Sequence, residues 1–288
     1  MIKNKIKLAS LITIPISAMT ISCTYYGNKD KLLLYIDKSK DVMPLSIDYK
    51  EKRTQENIDQ LIKATFPSEE KKIEYLNKFK NPKYLKQMKD KFSSFFKEYK
   101  EIKKNNNPDG IDRLVSEMKD FYNENWYYIL TNLDKFELVF YKWLAFPDYK
   151  DGKHSDEYKN RIENMSIEYD DLKKIQMHDN YLGTMIEGDE SAELSNKTIY
   201  YLAKKNLVFR ISINDITTEQ PTMQFNPYVW GFPYITNRDV SLKLITDLVH
   251  SAYIHRFQDG FDRFEKDMVE NLRYGVPGIF LLMYKGGE

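Results

Sequence analysis

Cysteine is nearly absent from this chain of 288 residues, since Cys23 is the only one. A single cysteine excludes an intramolecular disulfide and a metal site built from several thiolates, so packing alone must hold the fold together. After residue 21, no apolar run reaches the roughly 18–20 residues that span a bilayer. The motifs HExxH, GxSxG, GxGxxG and the P-loop are also missing, and we therefore predict neither a metal centre nor a cofactor.

Arginine is scarce as well: the chain has 8 arginines beside 36 lysines. Basic and acidic residues nearly balance, at 44 and 43, which excludes the strongly basic surface of a typical nucleic-acid-binding protein. We therefore expect no nucleic-acid partner. Aromatic residues, by contrast, are abundant at 14%, and the hydrophobic share of 42% is that of a globular protein.

Residues 1–23 have the pattern of an export signal. Three lysines precede an apolar run from Leu8 to Ile21, and Ser22 stands directly before Cys23. The sequence Thr20-Ile21-Ser22-Cys23 resembles the lipobox of bacterial lipoprotein precursors, although Thr20 occupies a position where that family usually has leucine. The resemblance implies that residues 1–22 are a cleaved signal peptide and that Cys23 carries a thioether-linked diacylglycerol. The alternative is an uncleaved signal anchor, for which a run of about 14 residues is short.

The lipoprotein interpretation places the rest of the chain at the extracellular face of a cell membrane. Residues 23–31 would form the lipidated cysteine and a short tether, and residues 32–288 a single helical-rich extracellular domain. A stretch rich in Gly, Asp, Glu and Ser marks an alternative subdomain boundary near residues 182–196. Membrane lipid, bound through Cys23, is then the first expected partner, and a host or membrane protein is the second.

Hydrophobic periodicity predicts an α+β fold that is predominantly helical. Asn81-Pro82 begins a helix to about Lys104 whose apolar residues step by three and four, as in helices that pack along an antiparallel neighbour. The pattern predicts a second long helix from Ile111 to before Pro147, and another from Asp239 to about Leu272. We expect only a small β-hairpin or short antiparallel sheet in the C-terminal half, from residues 198–203 and 207–214, with 279–284 as a further strand.

One segment combines prolines with many aromatic residues: Phe225-Asn-Pro-Tyr-Val-Trp-Gly-Phe-Pro-Tyr234. The prolines exclude a regular helix, so we predict an ordered aromatic loop. Together with the lipobox, the segment resembles the mollicute surface proteins called aromatic cluster or aromatic motif membrane proteins. If its side chains are exposed, the loop is a candidate binding site; if they are buried, it closes one end of the core. The candidate binding residues are Phe225, Tyr228, Trp230, Phe232 and Tyr234.

Charge is unevenly distributed along the chain. Residues 71–104 hold twelve lysines and four acids, whereas residues 148–196 hold thirteen acids and six bases. The lysine-rich helices either face anionic lipid or form an ordinary solvated surface in a lysine-rich protein.

From these patterns we predict a non-enzymatic surface lipoprotein that acts in interaction or adhesion, with no catalytic residues assigned. Two alternatives belong to other classes of protein. The first is an enzyme whose site is assembled from dispersed residues such as His178, Glu187, Asp189 and His250. The second is the solute-binding lipoprotein of a transporter, which predicts a parallel sheet.

Overall fold

The computed structural model describes residues 47–143, 177, 180–183, 185–188, 197–233, 240–249 and 262–286. Within these ranges, the central element is an antiparallel sheet of seven strands. Helices from the first half of the chain pack on one face of the sheet, and helices from the C-terminal part pack on the other. The predicted signal peptide, Cys23 and the tether to residue 31 lie outside the described residues.

Five α-helices precede the sheet in the described part of the chain: α1 (Ile47–Thr65), α2 (Glu69–Lys78), α3 (Pro82–Lys104), α4 (Pro108–Glu124) and α5 (Trp126–Thr131). α3 begins as predicted, because the Asn81 side chain accepts hydrogen bonds from the backbone N–H groups of Lys83 and Tyr84. Among the described helices, none is both long enough and apolar enough to cross a membrane.

α3 and α4 form the predicted antiparallel pair. The ring of Phe92 packs on that of Phe121 with centroids 4.9 Å apart, whereas Glu98 pairs with Arg113 at 2.6 Å. Residues later in α3 therefore meet residues earlier in α4. The predicted apolar positions of α3 are buried between α4 and the sheet: Met88, Phe92, Phe95, Tyr99 and Ile102.

The strands are β1 (Phe136–Trp143), β2 (Met185–Gly188), β3 (Lys197–Lys204), β4 (Leu207–Asn214), β5 (Thr222–Phe225), β6 (Tyr228–Gly231) and β7 (Gly278–Tyr284). Their order across the sheet is β1-β7-β6-β4-β3-β2, and β5 pairs with β4 beside β6. The predicted hairpin is β3 and β4, whose two-residue turn includes Lys205 at a φ of 54°. The predicted C-terminal strand is β7.

The predicted predominantly helical fold, with only a small sheet in the C-terminal half, is wrong. The fold is mixed α+β, and the segment read as one helix from Ile111 to Trp143 divides into α4, α5 and strand β1. Residues 136–143 read FELVFYKW, a composition that favours strands. Aromatic residues are so dense there that a helical period fits equally well, and the partner that decides the matter, β7, lies about 140 residues further along the chain.

The sheet separates two hydrophobic cores. In β3 the side chain of Leu202 belongs to the larger core with α1 and α3–α5, while Tyr201 and Ala203 belong to the smaller core. The smaller core is completed by α6 (Leu242–Val249) and a π-helix (Phe264–Asn271). These two elements lie within the predicted last helix, and residues 250–261 between them are outside the described part. Side chains of β3 are therefore buried on both faces of the sheet, because successive residues point to opposite faces and each face is covered.

Candidate binding surface

The aromatic segment forms two strands of the sheet rather than a loop. Phe225 ends β5, and Tyr228 and Trp230 lie in β6. The side chains of Phe225 and Phe232 are 3% and 2% exposed, whereas Tyr228 and Trp230 are half-buried. Tyr234 lies outside the described residues. The segment thus combines the two predicted alternatives, since part of it belongs to the core and part reaches the surface.

Tyr228 and Trp230 lie on the same face of β6, because side chains two residues apart in a strand point the same way. Val229 between them is buried in the larger core. Tyr228 also packs against the larger core, whereas Trp230 packs against the smaller core. Trp230 is the cross-strand partner of Val208 in β4 and of Ile279 in β7, and Ile279 is in turn the partner of Lys142 in β1.

Two basic side chains are close enough to Tyr228 to affect its hydroxyl electrostatically. Burial raises the pKa of Tyr228, while the positive charges of Arg210 and Lys142 act in the opposite direction. Lys142 is exposed and Arg210 is half-buried. We refer to Tyr228, Trp230, Arg210 and Lys142 together as the Tyr228–Trp230 surface, which presents two aromatic rings and two cations on one face of a sheet.

Glycine at position 231 lets the core pack directly beneath this surface. A Cβ atom on Gly231 would lie 2.8 Å from Cε2 of the Phe280 ring, and a Cβ atom on Gly278 would lie equally close to the same atom. Gly231 and Gly278 are opposite each other in β6 and β7, so the Phe280 ring covers both glycines. The Trp-Gly pair in the aromatic segment therefore has a packing reason.

A second group of aromatic residues, which sequence reasoning does not single out as a unit, fills the helical layer. The ring of Phe92 lies within 4.9–6.2 Å of five other aromatic rings, measured between centroids: Phe121, Tyr122, Tyr128, Phe136 and Tyr284. Tyr122 is fully buried, and its hydroxyl donates a hydrogen bond to the backbone carbonyl of Leu282 in β7. This group joins the helical layer to the sheet.

At the edge of that group, the ammonium group of Lys78 is enclosed by aromatic rings. Its Nζ atom lies 4.4 Å, 4.9 Å and 5.4 Å from the ring centroids of Tyr75, Phe79 and Tyr84. The Nζ atom donates a hydrogen bond of 2.7 Å to the backbone carbonyl of Glu124, the last residue of α4. The carboxylate of Glu124 lies 3.5 Å from the same Nζ atom. Burial lowers the pKa of Lys78, and Glu124 partly offsets this.

The Lys78 arrangement binds a cation of the chain itself, so we assign it a structural role. The lysine joins the end of α2 to the end of α4, where the helix dipole is negative. The sequence contains one signal for it: aromatic residues three before, one after and six after a single lysine. Because residues 71–104 contain twelve lysines, the sequence does not distinguish Lys78 from the others.

Of the residues named for a dispersed catalytic site, only Glu187 is in the described part, where it lies in β2 opposite Tyr200. His178, Asp189 and His250 are outside it, so that alternative stays a prediction. Within the described ranges, no three His, Cys, Asp or Glu residues are grouped so that they could hold a metal ion. All pairings among the described strands are antiparallel, which does not fit the parallel sheet that a solute-binding lipoprotein predicts.

Comparison with known proteins yields one match. A family model described as aromatic cluster surface protein matches residues 25–275, which include the helical layer and the aromatic segment. No curated protein matches the chain, and no solved structure matches it. Because the family match covers most of the sequence, this chain belongs to the aromatic cluster surface protein family, the family that its aromatic segment resembles.

Proposed function

We propose that this protein is a lipid-anchored cell-surface protein that acts in interaction or adhesion rather than in catalysis, with the Tyr228–Trp230 surface as its binding face. The observation that carries the proposal is the pair of half-buried aromatic side chains, Tyr228 and Trp230, beside two cations on a sheet whose other face is buried. Membership of a surface protein family supports the location.

Tyrosine and tryptophan suit such a role because they bury a large area on binding and lose little conformational entropy. Here the strand fixes both side chains on one face, and the buried neighbours Val229 and Phe232 hold that strand in place. The exposed Lys142 on the same face favours a partner with acidic groups around an apolar centre. A protein of a host cell or of a membrane fits this description.

The binding face is tested in the full chain with the double variant Tyr228→Ala/Trp230→Ala. Proteins from host or membrane extracts that are retained on immobilised protein are quantified by mass spectrometry, and the affinity of each retained protein is then measured. Truncation of an aromatic residue at the centre of an interface costs about 2 kcal/mol, which is about 30-fold in affinity. We therefore expect the affinity of the double variant to fall by about 30-fold to 1,000-fold, the upper figure being the sum of two such losses.

A matched control replaces two half-buried aromatic residues of the helical layer, Phe96→Ala/Tyr127→Ala. This variant should retain the partner. Its thermal stability should be no higher than that of the test variant, so that destabilisation alone does not explain a loss of binding. Equal retention of the partner by both variants would show that the Tyr228–Trp230 surface is not the binding face.

The anchor is tested separately by metabolic labelling with a fatty acid. The full chain should incorporate the label, and Cys23→Ser should not. If Cys23→Ser keeps the label, the lipid-anchor part of the proposal is wrong, while the binding face remains to be judged by the affinity measurements.

A further inference from the structure

Six lysines on α3 lie along one side of the helix. With 100° of rotation per residue, they fall within an arc of about 120°, and the first and last are about 32 Å apart along the axis. Five of them are exposed and Lys89 is half-buried. We refer to these residues as the lysine stripe: Lys83, Lys86, Lys89, Lys97, Lys100 and Lys104.

The stripe points away from the elements that α3 packs against. On the opposite flank, Glu98 pairs with Arg113 of α4, and Phe95 packs on Phe121 of α4. Beneath the helix, the Tyr99 hydroxyl donates a 3.4 Å hydrogen bond to the carbonyl of Phe140 in β1. The lysine stripe therefore lies on the side of α3 that neither α4 nor the sheet covers.

Among the residues that the structure describes, no acid forms an ion pair with a lysine of the stripe. In the part of the chain that the structure describes, the lysines found in salt bridges are Lys52, Lys72 and Lys78, none of which belongs to the stripe. Lys100 lies 3.9 Å from the ring centroid of Phe96, a contact that keeps its charge. Asp90 and Glu101 are the acids within the same arc, so the stripe has a net charge of about +4 at neutral pH.

We propose that the lysine stripe docks on an anionic lipid bilayer. A straight helix about 32 Å long can place all six ammonium groups against a flat array of phosphate headgroups at once. The inference rests on the proposed membrane location, but it requires neither the Tyr228–Trp230 surface nor acylation of Cys23. It would set the orientation of the domain at the membrane, with α3 along the lipid surface.

Nucleic acid is the competing polyanion, and the side chains favour lipid. The stripe contains no arginine, the residue that binds phosphates and base edges in two-point contacts. The nearest arginine, Arg113, is already paired with Glu98 and Glu117 at 2.6 Å and 2.5 Å.

The test compares the full chain with the variant Lys86→Gln/Lys97→Gln/Lys104→Gln. These three lysines lie nearly in line along about 27 Å of helix, and none makes a hydrogen bond or ring contact in the described structure. Binding is measured to vesicles of phosphatidylcholine alone and of phosphatidylcholine with phosphatidylserine. The variants are compared by the ratio of the affinity for vesicles with phosphatidylserine to the affinity for vesicles without it. Because all variants share the apolar residues 8–21, the contribution of these residues cancels in the ratio.

Each lysine near an anionic surface contributes roughly a fivefold change in binding, so the ratio should fall about 100-fold in the triple variant. The matched control, Lys63→Gln/Lys119→Gln/Lys266→Gln, removes the same charge from exposed lysines of α1, α4 and the π-helix. It should keep the ratio within a few-fold of that of the unchanged chain. An equal fall in both variants would mean that net charge alone drives binding, and an unchanged ratio in the stripe variant would also overturn the proposal.

A residue-level measurement and a competing ligand complete the test. In chemical acetylation followed by mass spectrometry, anionic vesicles should protect the stripe lysines but not Lys91, which lies on the flank of α3 nearer α4. If the stripe variant instead loses binding to a DNA duplex at physiological salt and keeps its vesicle ratio, the stripe binds nucleic acid and the lipid proposal is wrong. If the Tyr228–Trp230 surface proves not to bind a protein partner, the expected vesicle and acetylation results stay the same.

Discussion

Replacing Tyr122 by phenylalanine removes one hydroxyl group from the junction between the helical layer and the sheet. Tyr122 is fully buried in α4, and this hydroxyl donates a hydrogen bond to the backbone carbonyl of Leu282 in β7. The ring contacts with Phe92 and Phe95, at 5.1 Å and 6.3 Å between centroids, do not depend on the hydroxyl. Losing a buried hydrogen bond whose partner stays buried costs about 1–3 kcal/mol. We therefore expect Tyr122→Phe to lower the free energy of unfolding by about 2 kcal/mol.

Tyr128 supplies the matched control from the same aromatic group. Tyr128 is 6% exposed, and its buried hydroxyl lies near Tyr284 without the geometry of a hydrogen bond to any described residue. Burial raises the pKa of Tyr128, and the neighbouring Tyr284 and Asp134 raise it further. Because Tyr128→Phe removes a buried polar group without removing a hydrogen bond, its free energy of unfolding should lie within about 0.5 kcal/mol of that of the unchanged chain, or above it.

Both variants are compared by urea unfolding at neutral pH, followed by circular dichroism. The slopes of the free energy against urea should agree, since the folds bury the same surface, and the difference between the two variants should be about 2 kcal/mol. Equal losses in the two variants would refute the reasoning, because the hydrogen bond to Leu282 would then contribute nothing. A larger loss in Tyr128→Phe would refute it more directly.

Two further predictions concern groups whose pKa is shifted by burial. Lys78→Met should lower the free energy of unfolding by about 1–2 kcal/mol in the same assay, because the contacts with Glu124 and the three rings outweigh the cost of burying the charge. The control is Lys80→Met, at an exposed lysine nearby, which should change the free energy of unfolding by less than about 0.5 kcal/mol. In alkaline solution, stability should fall because burial, aided by the charge of Glu137, raises the pKa of Tyr99 to about 12. The unfolded phenol titrates near 10, so this contribution is present below that pH and is lost as the pH rises toward 12, by about 1–2 kcal/mol after allowance for solvent screening. Urea titrations near neutral pH and near pH 11 measure the fall, to which the other buried tyrosines also contribute. Because Tyr99→Phe removes one of these phenols, its fall at pH 11 should be smaller by about 1 kcal/mol, and an equal fall in both chains would show that Tyr99 does not contribute.

The sequence by itself determines the elements whose signals are local. Asn81-Pro82 and the apolar steps of three and four predict α3, since a capping side chain and one buried face suffice to specify a helix. The alternation in residues 207–214 and the turn signal at Lys204-Lys205-Asn206 predict the β3–β4 hairpin for the same reason. The resemblance to the family, too, depends on residues that are close together in the chain, namely the lipobox and the aromatic segment at 225–234, and the family match over residues 25–275 confirms it.

The tertiary structure alone decides which segments join the sheet and which of their side chains stay at the surface. Residues 136–143 satisfy the period of a helix and the composition of a strand, and pairing with β7 settles the choice in favour of β1. Strand alternation groups Tyr228 with Trp230, but their exposure depends on what β4, β7 and the smaller core place around them. The Lys78 arrangement likewise needs Glu124, 46 residues away. Burial and cation binding are properties of neighbours in space, and a local sequence pattern specifies only neighbours along the chain.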